Sequence, residues 1–113
     1  MKDSRINAGV LLAPTGAGGD HLTPAAAKMV ALRSTTFDKM KTPTLVITGS
    51  KDDSTYMTSR GPIYHADPYY LSAGPKSLLT LIDGEHMLGG VTGYDAKGTT
   101  DENVERVALA ERR

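Results

Sequence analysis

An aspartate and a histidine, placed so that one can hold the other, are the residues of this chain best suited to chemistry. Asp52 lies in the segment Gly49-Ser50-Lys51-Asp52-Asp53-Ser54, and His86 ends the segment Asp83-Gly84-Glu85-His86. A carboxylate that accepts a hydrogen bond from one ring nitrogen fixes the tautomer of a histidine. It also stabilises the imidazolium that forms when the other nitrogen takes a proton from a serine hydroxyl. Each segment follows a short apolar run, so the pairing requires those runs to be neighbouring strands. Adjacent strands lie about 4.8 Å apart, and parallel ones release their loops on the same side. The plainer alternatives are an aspartate that only serves its turn and a histidine that only sits on the surface. Asp53 is the fallback acid, while Glu85 and Met87 read as residues that shape the histidine loop.

Other polar groups compete less well. Asp20 and His21 also follow an apolar run, but adjacent residues on extended backbone point apart, which leaves them a loop or cleft role. His65 stands among Tyr64, Tyr69 and Tyr70, close to two prolines. It reads as part of a packed surface cluster, with one wall of an apolar acyl or alcohol pocket as the functional alternative. With no cysteine, thiol nucleophiles, disulfides and thiolate zinc sites are excluded. Three dispersed histidines offer no metal-ligand spacing, so neither a metal nor another cofactor is expected. Gly16-Ala17-Gly18-Gly19 precedes a helix as phosphate loops do. A Gly-x-Gly-x-x-Gly pattern would need glycine where His21 stands, however, and no Gly-Lys-Ser/Thr occurs.

The elements that must position Asp52 and His86 are three apolar runs: Ala8 to Ala13, Thr44 to Thr48 and Leu78 to Ile82. None alternates strictly between polar and apolar residues, which predicts strands buried on both faces of a parallel sheet. The spacing between runs, about 30 residues, suits right-handed βαβ crossovers. Thr23-Pro24-Ala25-Ala26-Ala27 supplies a cap, a proline at the first helical position and good helix formers, so residues 24 to about 33 are expected to be helical. The stretch from 55 to 71 is broken by Gly61-Pro62 and Asp67-Pro68. Gly89-Gly90 to Gly98 reads as a flexible connector. Thr99 and Glu102 form a capping box ahead of Val104, Val107 and Ala108, predicting a final helix. The fold class expected is α/β, with about three parallel strands and flanking helices.

The chain has 113 residues, room for one core only. Thirteen basic and thirteen acidic side chains cancel, so neither nucleic acid nor an anionic membrane is an expected partner. No signal peptide is recognisable, and the default location is cytoplasmic.

With those residues in view, Pro43 to Ser54 and Leu78 to Gly90 resemble the acid-bearing and histidine-bearing ends of the α/β-hydrolase family, nearest to its dienelactone-hydrolase and chlorophyllase-like esterases. In that family the acid commonly follows, by three residues, the glycine that ends its strand, which maps to Gly49 and Asp52. The histidine follows a strand and a small-residue turn, which maps to Gly84 and His86, in the family's order of serine, acid, histidine. The resemblance implies hydrolysis of a small carboxylic ester through an acyl-enzyme, with Asp52 orienting His86. It also implies that residues 1–113 are the C-terminal part of a single hydrolase domain. The Gly-x-Ser-x-Gly elbow is missing: none of Ser4, Ser34, Ser50, Ser54, Ser59, Ser72 and Ser77 has glycine at both of its second-neighbour positions. Without the elbow and its oxyanion hole, whose donors are each worth about 2.7–4 kcal/mol, the chain alone is expected to be nearly inactive. Its first strand would then be an exposed edge, prone to self-association or suited to a complementary N-terminal half. A noncatalytic hydrolase-like binding fragment is the alternative.

Overall fold

All three apolar runs form strands. In the computed structural model, which describes residues 3–88 and the backbone of 108–112, β1 is Gly9–Leu12, β2 is Thr44–Gly49 and β3 is Lys76–Leu81. The strands are parallel, with β2 in the middle: Leu11 stands beside Val46, and Val46 beside Leu78. That register puts all three side chains on one face, and there the core forms. Val46 and Leu78 pack with Ala66 and Tyr69, and the half-buried Leu11 closes the cluster.

A fourth strand, β4, Ala108–Arg112, runs antiparallel beside β3, pairing Leu81 with Ala108 and Ser77 with Arg112. The expected final helix is therefore corrected where it can be compared. Ala108 is strand, and the capping residues Thr99 and Glu102, with Val104 and Val107, lie outside the described residues, as does the Gly89 to Gly98 connector. A short helix must bear a costly nucleation, whereas the free side of β3 offers a ready row of backbone donors and acceptors. The sheet is consequently three parallel strands plus one antiparallel edge.

Burial on both faces is also corrected. On the face away from the core, Val10 is 59 % exposed and Leu12 50 %, and Leu45, Ile47 and Leu79 are only half-buried. The helices all serve the other face or the loops. Residues 24 to 33 split into α1, Pro24–Ala27, and α2, Val30–Arg33, with Met29 extended between them. The reason is spacing. Ala26 and Leu32 both pack around Tyr64, but six residues are not a whole number of 3.6-residue turns. The break brings both to one cluster and leaves Met29 and Val30 outside. Thr23 Oγ1 accepts the Ala26 N–H as the expected cap. Between β2 and β3, a 3-10 helix, Gly61–Ala66, runs into α3, Asp67–Leu71. Pro62 and Pro68 sit in the two first turns, where a missing N–H costs nothing. Among the described residues no helix is long and apolar enough to cross a membrane.

Candidate active site

The loops that leave β2 and β3 are stitched together before any side chain is considered. Gly49 ends β2 flat against Gly84, so that a β-carbon there would collide with the Gly84 carbonyl. Ser50 N–H donates to Leu81 O at 3.0 Å and Lys51 N–H to Gly84 O at 2.8 Å. Asp83, in the left-handed region at φ 58°, donates its N–H to Ser50 Oγ. The two turns that carry the candidate acid and histidine are thus fixed by backbone bonds independent of those residues.

On this frame Asp52 and His86 meet. His86 Nδ1 donates to Asp52 Oδ2 at 2.9 Å; the oxygen can only accept, so the proton is on the nitrogen. Asp52 is 2 % exposed, while the His86 side chain is 44 % exposed. Asp53, the fallback, faces solvent. Asp52 and Ser54, on either side of it, are both buried.

The other oxygen of Asp52 is also held. Ser54, at φ 43°, donates its hydroxyl to Oδ1 at 2.8 Å. His65 Nε2 lies 3.2 Å from the same oxygen and 2.9 Å from Ser54 Oγ. The opposite nitrogen, Nδ1, donates to the Pro14 carbonyl at 2.6 Å. His65 is 1 % exposed, so the expected surface cluster is corrected: Tyr64, His65 and Tyr69 are interior, and only Tyr70 remains outside. The loops after β2 and β3 therefore meet at one carboxylate and the loop after β1 backs the His65 ring, at the end of the sheet where α/β folds keep their ligands.

The electrostatics follow. Burial by itself would raise the Asp52 carboxyl, but hydrogen bonds from His65, His86 and Ser54 outweigh it and hold the pKa at about 2. Burial by itself would lower His65, yet the bonds to Asp52 and Pro14 carry it above its ordinary value. Asp52, His65 and His86 also offer three potential metal-ligand atoms within 4.8 Å of one another. The histidines that looked dispersed in the sequence are thus gathered in space. Each of these nitrogens is spaced from the carboxylate as an N–H···O bond.

The glycine-rich loop after β1 has another task. A β-carbon at Gly16 would strike the Tyr64 backbone. The Ala17 N–H is given to Asp67 Oδ2 and the Gly18 N–H to Thr35 O. Those amides are occupied, which removes the support for a phosphate-binding loop. Asp67 is clamped in turn by both terminal nitrogens of Arg60, at 2.6 and 2.8 Å. His21 bonds Ala17 O through Nε2 and is not paired with Asp20.

Cavities open beside the acid loop and at the far end of the sheet. One of about 230 Å³ runs beside the acid loop between Ser50, Ile63, Tyr70 and Thr80. A larger one, about 670 Å³, lies at the opposite end of the sheet near Gly9, Leu11, Phe37 and Thr44. Neither is lined by the histidines. Comparison with family models, characterised proteins and solved structures finds no match to this chain.

Sequence reasoning missed His65 and Ser54. The only signal for Ser54 was its place two residues after the acid in the same loop. His65 had none, because its partners, Pro14 and Asp52, come from two other loops.

Proposed function

We propose that this chain is the C-terminal, acid- and histidine-bearing part of an α/β-hydrolase-type serine esterase, acting on small carboxylic esters with a nucleophile supplied from outside residues 1–113. The observation that carries this reading is the 2.9 Å bond from His86 Nδ1 to a buried Asp52, at the carboxyl end of adjacent parallel strands. Asp52 would fix the tautomer that leaves Nε2 of the half-exposed His86 ring to take a serine proton and later return it to water or the leaving alcohol. No cofactor takes part in this chemistry. The reading includes a cytoplasmic location and, for the chain alone, a near absence of turnover.

The test is ester hydrolysis by the chain with and without an N-terminal segment that contains Gly-x-Ser-x-Gly. Turnover is expected only in combination, and His86→Ala should reduce it by several orders of magnitude while the fold persists. Near-normal turnover by that variant would overturn the assignment. Among the described residues β1 is an edge strand with no partner beyond it, which favours a second reading, a noncatalytic fragment that pairs through its edge. That reading predicts complex formation without hydrolysis.

A further inference from the structure

The bond made by His86 uses only one oxygen of Asp52. The other faces inward, and its surroundings assign a role to a residue outside the acid–histidine pair. Pro14 O is a carbonyl and can only accept, so His65 Nδ1 carries a proton. Ser54 has one hydroxyl hydrogen to share between Asp52 Oδ1, at 2.8 Å, and His65 Nε2, at 2.9 Å. If it went to Nε2, Oδ1 would lose that donor and face a ring lone pair at 3.2 Å, with almost no solvent to compensate. If it goes to Oδ1, Nε2 must bring its own proton, and every polar atom in the cluster is satisfied.

We propose that His65 is a positioning residue: a buried imidazolium that, with Ser54, grips Oδ1 of Asp52 so that the carboxylate stays ionised and presents Oδ2 to His86. The proposal deepens the hydrolase reading and rests on the Asp52–His86 pair. The charged and titratable groups facing His65 come from three directions. The β2 loop supplies Asp52. The β3 loop supplies His86, whose ring centre lies 5.7 Å away. The helical segment between those strands supplies Tyr64, 5.3 Å away, and Asp67, whose charge Arg60 largely answers. From the β1 loop comes the Pro14 carbonyl, which is uncharged. Among the described residues Asp52 is thus the only carboxylate bonded to the ring, and one cation behind one anion makes a nearly neutral support for His86. A pairing of this kind costs little only when both partners are present; removing either leaves the other buried and uncompensated.

Nitrogen-15 spectroscopy of the histidine rings in the intact chain reads the protonation directly. At pH 7 both ring nitrogens of His65 are expected to carry protons, and Asp52→Asn should strip the proton from Nε2 at the same pH. In His65→Gln, carbon-13 detection of the Asp52 carboxyl should show its titration moving up from about 2 by roughly one pH unit or more. A His65 protonated only on Nδ1 in the unaltered chain would overturn the proposal, as would an unmoved Asp52 titration in folded His65→Gln. If that variant does not fold, the unaltered chain still decides, since its ring protonation needs no substitution. A purely structural packing role would leave His65 singly protonated. Failure of the hydrolase reading looks different: the His86 Nδ1 proton would be absent, or turnover would survive His86→Ala, while the His65 result stood.

Discussion

Replacing Asp52 by asparagine keeps the side-chain shape and removes the charge on which two histidines converge. The cost can be worked from the site. The carboxyl titrates at about 2 instead of 3.8, which at about 1.36 kcal/mol per pH unit corresponds to about 2 kcal/mol of stability. Asp52 is almost fully buried, so solvent screening takes little from this figure. Its sign is fixed by linkage. A lowered carboxyl contributes fully above its unfolded value, and the contribution disappears as pH falls through 4 towards 2. His65 is the opposite case. A raised imidazole contributes below its unfolded value of 6.5 and loses that contribution as pH climbs through its higher folded value. Both shifts record the same contacts, so they are not added. Asp52→Asn should therefore lose about 2–4 kcal/mol between pH 5 and 6, where the pair is fully charged, the upper figure reflecting a stranded buried cation. Urea unfolding of both proteins at pH 3, 5.5 and 8.5 measures the gap, which should be widest at 5.5 and shrink on both sides. A gap of constant size across that range, or one below about 0.5 kcal/mol at pH 5.5, would refute the reasoning.

Three further substitutions probe the frame. Gly49→Ala drives a methyl group into the Gly84 carbonyl and should part the β2 and β3 loops; loss of the His86 Nδ1 proton resonance, with about 2 kcal/mol of destabilisation, is the expected pair of readings. Tyr69→Phe removes a fully buried hydroxyl that has no hydrogen-bond partner, so calorimetry should show an unchanged or higher melting temperature, by roughly 4 °C for each kcal/mol recovered. Val10→Lys places a charge on the open strand β1; sedimentation should show less self-association than in the unaltered chain, and equal association would locate the contact elsewhere.

The parts of this structure that were legible in the sequence are those specified by neighbouring residues. Pro14, Gly49 and Asp83-Gly84 each punctuate a strand where it ends, and the shared direction of β2 and β3 then follows from their spacing. Thr23 announced its cap in the same way. The failures all depend on residues far apart in the chain. The break at Met29 is set by where Tyr64 sits, a residue of the helical segment after β2. The strand at Ala108 depends on an open side of β3. The one-sided burial of the sheet is invisible in runs such as Val10-Leu11-Leu12, because an apolar residue is equally apolar whether or not something covers it.

The candidate site divides along the same line, and His65 shows why. A dyad formed by two successive strand ends could be anticipated from Asp52 and His86, since parallel pairing alone brings their loops together. Ser54 was closer to hand, because it stands two residues after Asp52 in the same loop, although the left-handed turn that returns its hydroxyl to the carboxylate left no mark in the sequence. His65 reaches the carboxylate only after Gly16 lets the β1 loop close against Tyr64, so that the Pro14 carbonyl is in place to accept from Nδ1. Arg60 and Ala17 must also hold Asp67. Three loops therefore have to be correct before that histidine looks different from any other near tyrosines. The same dependence makes it informative. A surface histidine would need no carbonyl behind it, whereas one with a committed Nδ1 proton and a carboxylate ahead is constrained at both ends of the ring. That constraint accounts for why Asp52, though buried, is held ionised.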